Sequence, residues 1–372
     1  MADIVFDPTG SFENFALHLK TVSSNNASVM VLACDANGFQ KKLLDPLLID
    51  NAAAIMGAIF PSIIYNAEKY DQGTLFIGLK ESMQVKVIRE VSQKDYEQLE
   101  DDIDANNGDF DESVKTMFVF IDGLTKNIGM CINVLFDNYG LDINYIGGGS
   151  GSLTFEQKPS ILTNQGLLKD AIVYAYSKRQ SSIGVSHGWQ SISGPYQVTK
   201  AEATVIKELD YQPAFELYKQ VVDQHVSEPI NEANFFTIAR SFPFGINSIS
   251  DEKTVRDPMI LKGTELVCIG NVEEGSYVDI LQGESEDLIK AAKSAADISE
   301  ENRHFKNDFT LFIDCISRAL FLEEKLADEI AAVYNDNPSL VGALTFGEIA
   351  NNGRNYLEFY NKTAVVGRIG HE

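Results

Sequence analysis

A histidine beside the only tryptophan of the chain is the first candidate for chemistry. His187 lies in the segment Ile183-Gly-Val-Ser-His-Gly-Trp189, at the end of a predicted strand. An imidazole and an indole among small residues would hold a planar apolar ligand between them. The alternative is structural, because a lone histidine commonly only hydrogen-bonds a backbone carbonyl. The five histidines of the sequence show no spacing typical of a metal site.

A cysteine at a predicted strand-to-helix junction is the second candidate. Cys315 stands three residues before Arg318. A helix N-terminus and a nearby guanidinium both lower the pKa of a thiol, so this position favours a reactive cysteine. The alternative is a buried and inert thiol. No Ser-His-Asp order or GxSxG elbow accompanies the cysteine, and the sequence predicts a protein that is not an enzyme.

Glu348 and Asn361 form a third candidate pair near the end of the chain. They fall in consecutive predicted strands, and in a hairpin their side chains would converge. One carboxylate and one amide suit a ligand that carries an amine or an amide. Together with Arg318 they would line a ligand pocket between two halves of the protein. The alternative is a turn whose polar groups hydrogen-bond only one another.

The segment Gly147-Gly-Gly-Ser-Gly-Ser152 follows a predicted strand, as a phosphate-binding loop would. It lacks the Lys-Ser/Thr ending of a P-loop, and no helical pattern follows it directly. A glycine-rich strand end, or a place where two backbones approach closely, is therefore the favoured interpretation.

Hydrophobic periodicity predicts the elements that must position these residues. The sequence predicts helices over Lys41–Ile49, with a break at Pro46, and over Tyr96–Asn106. It also predicts a helix over Leu320–Tyr334 and strands over Thr74–Leu79, Met117–Ile121 and Tyr356–Val366.

Two stretches of the chain resemble each other at a nearly constant offset. Gly73 precedes an apolar strand much as Gly263 does, and Asp122 ends a strand much as Asp314 does. This repetition predicts an α+β protein of two similar mixed-sheet α/β units that arose by internal duplication. A ligand pocket commonly forms where such units meet.

The composition excludes several classes of partner. The 372 residues carry 30 Lys+Arg against 54 Asp+Glu, a formal net charge of −24. This balance disfavours nucleic acids and anionic membrane surfaces, both of which select clustered basic residues. The four cysteines form no CxxC pair, and neither a signal peptide nor a long apolar span is evident. The sequence therefore predicts a cytoplasmic protein.

Many short motifs follow one another along the chain in a characteristic order. They are Gly147-Gly-Gly-Ser-Gly151, Gly184-Val-Ser-His-Gly-Trp189, Val198-Thr-Lys-Ala201, Pro213-Ala-Phe-Glu-Leu-Tyr218, Ser241-Phe-Pro-Phe-Gly-Ile246, Val255-Arg-Asp-Pro258, Glu274-Gly-Ser276, Cys315-Ile-Ser-Arg318, Phe346-Gly-Glu-Ile349 and Asn361-Lys-Thr363. In this order they resemble the FIST domain family, in both its N-terminal and its C-terminal part. The segment Gly57-Ala-Ile-Phe-Pro61 departs from the small-residue turn that is usual there.

This resemblance implies a sensory ligand-binding protein, with an N-terminal domain at residues 1–190 and a C-terminal domain at 191–372. Family members resemble sensors of amino-acid-like small molecules, and a stand-alone subset resembles nitric-oxide-sensing haemoproteins that regulate a partner histidine kinase. For that subset, His187 and Trp189 would bind haem b non-covalently, with His187 as the ligand of the metal. The haem-free alternative places a small polar metabolite, such as an amino acid, at Arg318, Glu348, Asn361 and Cys315. A homodimer is a further prediction.

Overall fold

A computed structural model describes residues 2–247, 253–334, 339–351 and 356–371. The first unit consists, in chain order, of β1 (Asp3–Asp7), α1 (Phe12–Asn25), β2 (Ser28–Cys34), α2 (Lys41–Ile49), β3 (Ala54–Phe60), β4 (Ser62–Tyr65), β5 (Glu68–Tyr70) and β6 (Thr74–Leu79). The second unit repeats this order with β7 (Gln84–Arg89), α3 (Tyr96–Asn106), β8 (Thr116–Asp122), α4 (Ile128–Tyr139), β9 (Asn144–Ser150), β10 (Ile161–Thr163), β11 (Gly166–Leu168) and β12 (Ala171–Ser177).

The third unit begins with β13 (Gln180–Ser186) and is then interrupted by an insertion. The insertion contains β14 (Gln190–Glu202), β15 (Val205–Leu209), β16 (Gln212–Pro213), α5 (Ala214–Val222), α6 (Phe235–Ala239), β17 (Phe244–Ile246), β18 (Thr254–Arg256), β19 (Pro258–Lys262), β20 (Glu265–Cys268) and β21 (Tyr277–Gln282). The unit resumes with α7 (Ser285–Glu301), β22 (Lys306–Cys315), α8 (Ile316–Leu322), α9 (Leu326–Tyr334), β23 (Leu340–Thr345), β24 (Glu348–Ala350), β25 (Glu358–Tyr360) and β26 (Ala364–His371).

Three six-stranded sheets share one arrangement. Their strand orders are β1-β6-β2-β3-β10-β11, β7-β12-β8-β9-β24-β25 and β13-β26-β22-β23-β4-β5. In each sheet the two central strands are parallel, and the other neighbours are antiparallel. The last two strands of every sheet form a hairpin that comes from a different unit. The units are therefore tied together by a cyclic exchange of hairpins.

The α+β class and the repetition of a mixed-sheet unit are confirmed, and the topology contains that unit three times. Asp122 and Asp314 both lie near the end of a central strand, but their predicted correspondence is wrong by one residue, because the register places Asp122 and Cys315 at equivalent positions. The predicted correspondence of Gly73 with Gly263 is wrong. Gly73 leads into β6 of the first sheet, whereas Gly263 lies in a turn of the insertion. Short apolar strands resemble one another locally whatever sheet they join.

One core lies between the three sheets. Met30, Phe118 and Leu311 lie on the central strands of the three sheets, and all are fully buried in this shared cluster. The following residues, Val31, Val119 and Phe312, point to the opposite faces, as strand alternation requires. There, separate apolar clusters form against α1 and α2, α3 and α4, and α7 and α9. Each sheet thus has one face on the shared core and one face on its own helices.

A glycine recurs at the same place in each central pair of strands. Gly57, Gly147 and Gly342 lie opposite Val31, Val119 and Phe312. A Cβ atom at these glycines would lie 2.1, 1.7 and 2.0 Å from the carbonyl oxygen of that neighbour. Glycine is required because the backbones approach too closely for any side chain. The interpretation of the Gly147 segment as a glycine-rich strand is confirmed, since β9 runs through it.

The insertion forms a domain of its own, which we call the inserted domain (residues 190–282). Its strands join in one eight-stranded sheet, and α5 and α6 pack on a separate apolar cluster. Among the described residues, no strand of the inserted domain enters the three six-stranded sheets. In the described ranges, no helix is both long enough and apolar enough to cross a membrane.

Candidate functional site

A cavity of about 670 Å³ lies between the inserted domain and the second unit. One wall is the β8–α4 loop with the first turns of α4. The opposite wall consists of the β14–β15 and β20–β21 turns with β17 and β18, and β25 closes one side. Three segments that are far apart in sequence therefore meet around one space.

Arg256, at the end of β18, is the most constrained charged group of this cavity. Its side chain is buried, and Nε donates a hydrogen bond to the Asn271 carbonyl at 2.9 Å. Nη1 donates to the carbonyls of Val255 and Phe359, both at 3.0 Å. Within the described ranges, Nη2 has no hydrogen-bond partner. The guanidinium is thus held rigidly with one donor group to spare, a geometry that suits a carboxylate.

The N-terminus of α4 faces the same space. Asn127, the residue before α4, makes no side-chain hydrogen bond to the helix, so the N–H groups of the first turn lack a side-chain cap. Ile128 and Gly129 of that turn line the cavity, as does Lys126. Uncapped N–H groups and the positive end of the helix dipole favour an anion. This wall is therefore electropositive and lies across the cavity from the inserted domain.

Acidic groups provide the opposite charge. Glu358 and Glu273 both line the cavity, and Glu358 interacts electrostatically with Arg256. Burial raises the pKa of Glu358, while the neighbouring Arg256 opposes that shift. The cavity thus presents positive groups and carboxylates together. This arrangement can bind a small molecule that carries both an acidic and a basic group.

The residues singled out from the sequence lie outside this cavity, in the third unit and in its connection to the inserted domain. His187 is 7% exposed, and its Nδ1 accepts a hydrogen bond from the Trp189 backbone N–H at 2.9 Å. Burial lowers the pKa of His187 to about 3, so its imidazole is neutral at physiological pH. The Trp189 indole N–H donates to the Lys362 carbonyl at 3.0 Å. Neither residue lines the cavity.

The protein groups around His187 leave little room for the predicted haem. The His187 and Trp189 rings are enclosed by protein groups, and Arg318 donates a hydrogen bond to the His187 carbonyl at 2.6 Å. The surroundings of His187 in this arrangement therefore do not fit a haem. The described ranges also contain no group of three or more His, Cys, Asp or Glu side chains that could hold a metal ion.

Arg318 is the centre of a buried network that includes the other predicted residues. Its Nε lies 3.0 Å from Asp314 Oδ1, and its Nη2 pairs with Glu329. Nη2 also donates to the Leu288 carbonyl at 2.9 Å. All these charged groups are fully buried. Because both terminal nitrogens of Arg318 donate to groups inside the protein and its charge is paired with buried carboxylates, Arg318 serves the interior of the third unit.

Glu348, Asn361 and Cys315 lie in the same interior. Glu348 accepts hydrogen bonds from Thr345 Oγ1 at 2.9 Å and from the Thr363 N–H at 3.2 Å. Asn361 Nδ2 donates to the Tyr360 carbonyl at 2.7 Å. Burial raises the pKa of the Cys315 thiol well above its ordinary value, so the thiol is protonated. The fold brings these residues together away from the cavity, and their ligand-binding roles stay predictions.

Arg256 and Glu358 were not singled out from the sequence, although one signal for the arginine was present. Arg256 belongs to the motif Val255-Arg-Asp-Pro258, which contributes to the family resemblance. The local pattern does not show that Glu358 and the start of α4 share a site, because their meeting depends on the placement of the inserted domain.

Comparison with known proteins finds two family models along the chain. The family model of the FIST N domain matches residues 22–212, and that of the FIST C domain matches residues 214–351. The chain is 23% identical over 229 residues to the uncharacterized protein MJ1623 of Methanocaldococcus jannaschii. That match covers 55% of this chain and 44% of the relative, so the chain matches less than half of the relative's length. The predicted division at residues 190 and 191 stays a prediction.

Proposed function

Because the chain belongs to the FIST family, whose domains are small-ligand sensory domains in signal transduction, we propose that it is a sensor of a small polar metabolite. The ligand binds in the cavity between the inserted domain and the second unit. The observation that carries this proposal is Arg256, which is held by three backbone carbonyls and keeps one donor group for a ligand.

The charges of the cavity indicate the chemistry of this metabolite. A carboxylate would bind to Arg256 and to the N–H groups of the first turn of α4. An ammonium group would bind to Glu358 and Glu273. An amino acid or a close analogue carries both groups. The volume falls within the range that is usual for small-molecule sites.

A screen with the twenty amino acids tests this proposal. We expect one or more of them to raise the melting temperature of the protein, since a ligand that binds only the folded state stabilises it. Arg256→Gln should weaken that ligand by roughly 10- to 100-fold in calorimetric titration, because it removes a charge-assisted hydrogen bond.

Arg240→Gln is the matched control. Arg240 also lies in the inserted domain, but it pairs with Glu323 at 3.5 Å and does not line the cavity. Its substitution should leave the affinity unchanged. The proposal fails if no amino acid stabilises the wild-type protein, or if Arg256→Gln binds as tightly as Arg240→Gln.

Haem-dependent sensing of nitric oxide is the competing proposal, and it requires the surroundings of His187 to rearrange. It is supported by the family resemblance and by the neutral state of His187, the form in which an imidazole binds a metal. Reconstitution with haem b should then give a stoichiometric Soret band that His187→Ala removes or shifts. A protein that takes up no haem would exclude this candidate and leave the metabolite proposal intact.

The remaining parts of the proposal are a partner histidine kinase that responds to the ligand, a homodimer and a cytoplasmic location. The kinase rests on the family resemblance, and the location rests on the cysteine pattern and the apolar segments of the sequence. A sensory role also means that the protein acts by binding rather than by catalysis.

A further inference from the structure

The inserted domain is joined to the rest of the chain by two short crossings that lie side by side. Residues 187–189 lead from β13 into β14, and residues 283–284 lead from β21 into α7. Gln190 and Gln282, at the two ends of the inserted domain, are paired neighbours in its sheet. Two adjacent crossings form an axis about which a domain can rotate.

Both crossings pack tightly around Trp189. Gly188 has a φ of +79°, and a Cβ atom there would lie 2.6 Å from the Asp287 carbonyl oxygen of α7. A Cβ atom at Gly283 would lie 2.3 Å from the Trp189 ring. The indole therefore fixes the relative position of the two crossings. This contact accounts for the Gly-Trp motif without any ligand.

Lys362 joins this axis to the inserted domain. Its ammonium group is fully buried and lies 3.1 Å from Asp257 Oδ2. It also donates a hydrogen bond to the Arg240 carbonyl at 2.9 Å and lies 4.9 Å from the centre of the Trp189 ring. Asp257 and Arg240 belong to the inserted domain, whereas Lys362 lies in the β25–β26 turn of the third unit. A buried charge with such partners favours one arrangement over others, because any movement leaves it unpaired.

The strands that precede Asp257 and Lys362, β18 and β25, also line the cavity. Asp257 follows Arg256 directly, and the Phe359 carbonyl that accepts from Arg256 lies three residues before Lys362. We infer that Trp189, Asp257, Lys362 and Gly283, which we call the hinge cluster, set the orientation of the inserted domain and couple it to the cavity. Ligand binding at Arg256 would shift the balance between orientations that the hinge cluster controls. The response to a ligand rests on the proposed function, whereas the orientation set by the hinge cluster goes beyond it and is tested without a ligand.

Distance measurements on the full chain test the inference. The four native cysteines are buried, so spin labels can be directed to Leu141→Cys in the second unit and Tyr211→Cys in the inserted domain, both exposed positions. Lys362→Met keeps the length of the side chain but removes its charge. We expect the distance between the labels to shift by more than about 2 Å, or to split into two populations.

Lys219→Met is the matched control. Lys219 also pairs with an aspartate, Asp223, at 2.8 Å and donates to the Ile230 carbonyl, but both partners lie within the inserted domain. This variant should keep the wild-type distance. If Lys362→Met does not fold, Asp257→Asn removes the same ion pair and should give the same shift. A wild-type distance in the folded Lys362→Met or Asp257→Asn protein overturns the inference, and so does an equal shift in Lys219→Met.

Discussion

At the scale of single residues, the carboxyl group of Glu348 has an unusual protonation state. It is fully buried, and it accepts hydrogen bonds from a threonine hydroxyl, a backbone N–H and the Cys315 thiol. Burial raises its pKa to about 8, although Arg318 and these hydrogen bonds oppose the shift. At neutral pH the folded protein therefore keeps this group protonated, whereas the unfolded chain ionises it.

The pH dependence of stability should report this state. A folded pKa above the unfolded value means that the stabilising contribution is complete below about pH 4 and is lost as the pH rises through about 8. Glu348→Gln does not titrate. Relative to wild type, its free energy of unfolding should therefore improve by roughly 1 kcal/mol per pH unit between pH 5 and pH 8.

Urea unfolding at pH 5.5, 6.5 and 7.5 measures this difference. Groups that titrate identically in both proteins contribute equally to the two free energies of unfolding, so their contributions cancel in the difference. Glu216→Gln, on the exposed side of α5, is the control and should show no such trend. A constant difference between Glu348→Gln and wild type at all three pH values would contradict the protonated state.

At the scale of elements, the repeated glycine of the central strand pairs makes a direct prediction. Gly147→Ala would place a methyl group 1.7 Å from the Val119 carbonyl oxygen, so β8 and β9 must separate. We expect a loss of about 3 kcal/mol or more in the free energy of unfolding. Gly108→Ala is the control, because no atom lies within 4 Å of its Cβ position. Urea unfolding measures both losses. Equal losses in the two variants would show that the close approach of β8 and β9 does not require glycine.

Local periodicity predicted several elements at their observed bounds. Thr74–Leu79 is β6 and Tyr96–Asn106 is α3, with the latter capped by Asp95 and Gln98. Lys41–Ile49 is α2, but Pro46 lies inside it without a break, and the Asp50 N–H still donates to the Pro46 carbonyl. These elements carry their own apolar stripes, caps and alternation, which short windows of sequence reveal.

Elements that depend on distant contacts were predicted wrongly. The predicted strand Tyr356–Val366 is two strands, β25 and β26, separated by a turn in which Lys362 has a φ of +52°. The predicted helix Leu320–Tyr334 divides into α8 and α9 at Glu323, whose φ is +53°. The buried partners of Lys362 fix the first turn, and no neighbouring residue signals them.

At the scale of the whole molecule, the exchange of hairpins explains why the architecture was only half predicted. The β4–β5 hairpin follows β3 in the chain but completes the sheet of the third unit, where Ile63 pairs with Ala343. Sequence repeats therefore indicate the units but not which sheet each hairpin joins. The cavity was missed for the same reason, since its walls come from the second unit, the inserted domain and β25.

The separation of the inserted domain from the three sheets gives the last prediction. Because Gln190 and Gln282 are paired neighbours, an Asn-Gly turn can replace residues 191–281 and close the chain as a hairpin. Lys362→Met accompanies this deletion, because both polar partners of the Lys362 ammonium group, Asp257 and the Arg240 carbonyl, lie in the removed segment.

The shortened chain should still unfold in one cooperative transition, since no described strand of the removed segment belongs to the three sheets. It should be less stable by roughly 2–5 kcal/mol, because Val255 and Leu281 fill the apolar cluster on the outer face of the third sheet. It should bind no amino acid, since Arg256 is gone. Circular dichroism during thermal unfolding measures cooperativity, and the same deletion with Lys362 retained should be less stable. A chain without a cooperative transition would mean that the three units need the inserted domain in order to fold.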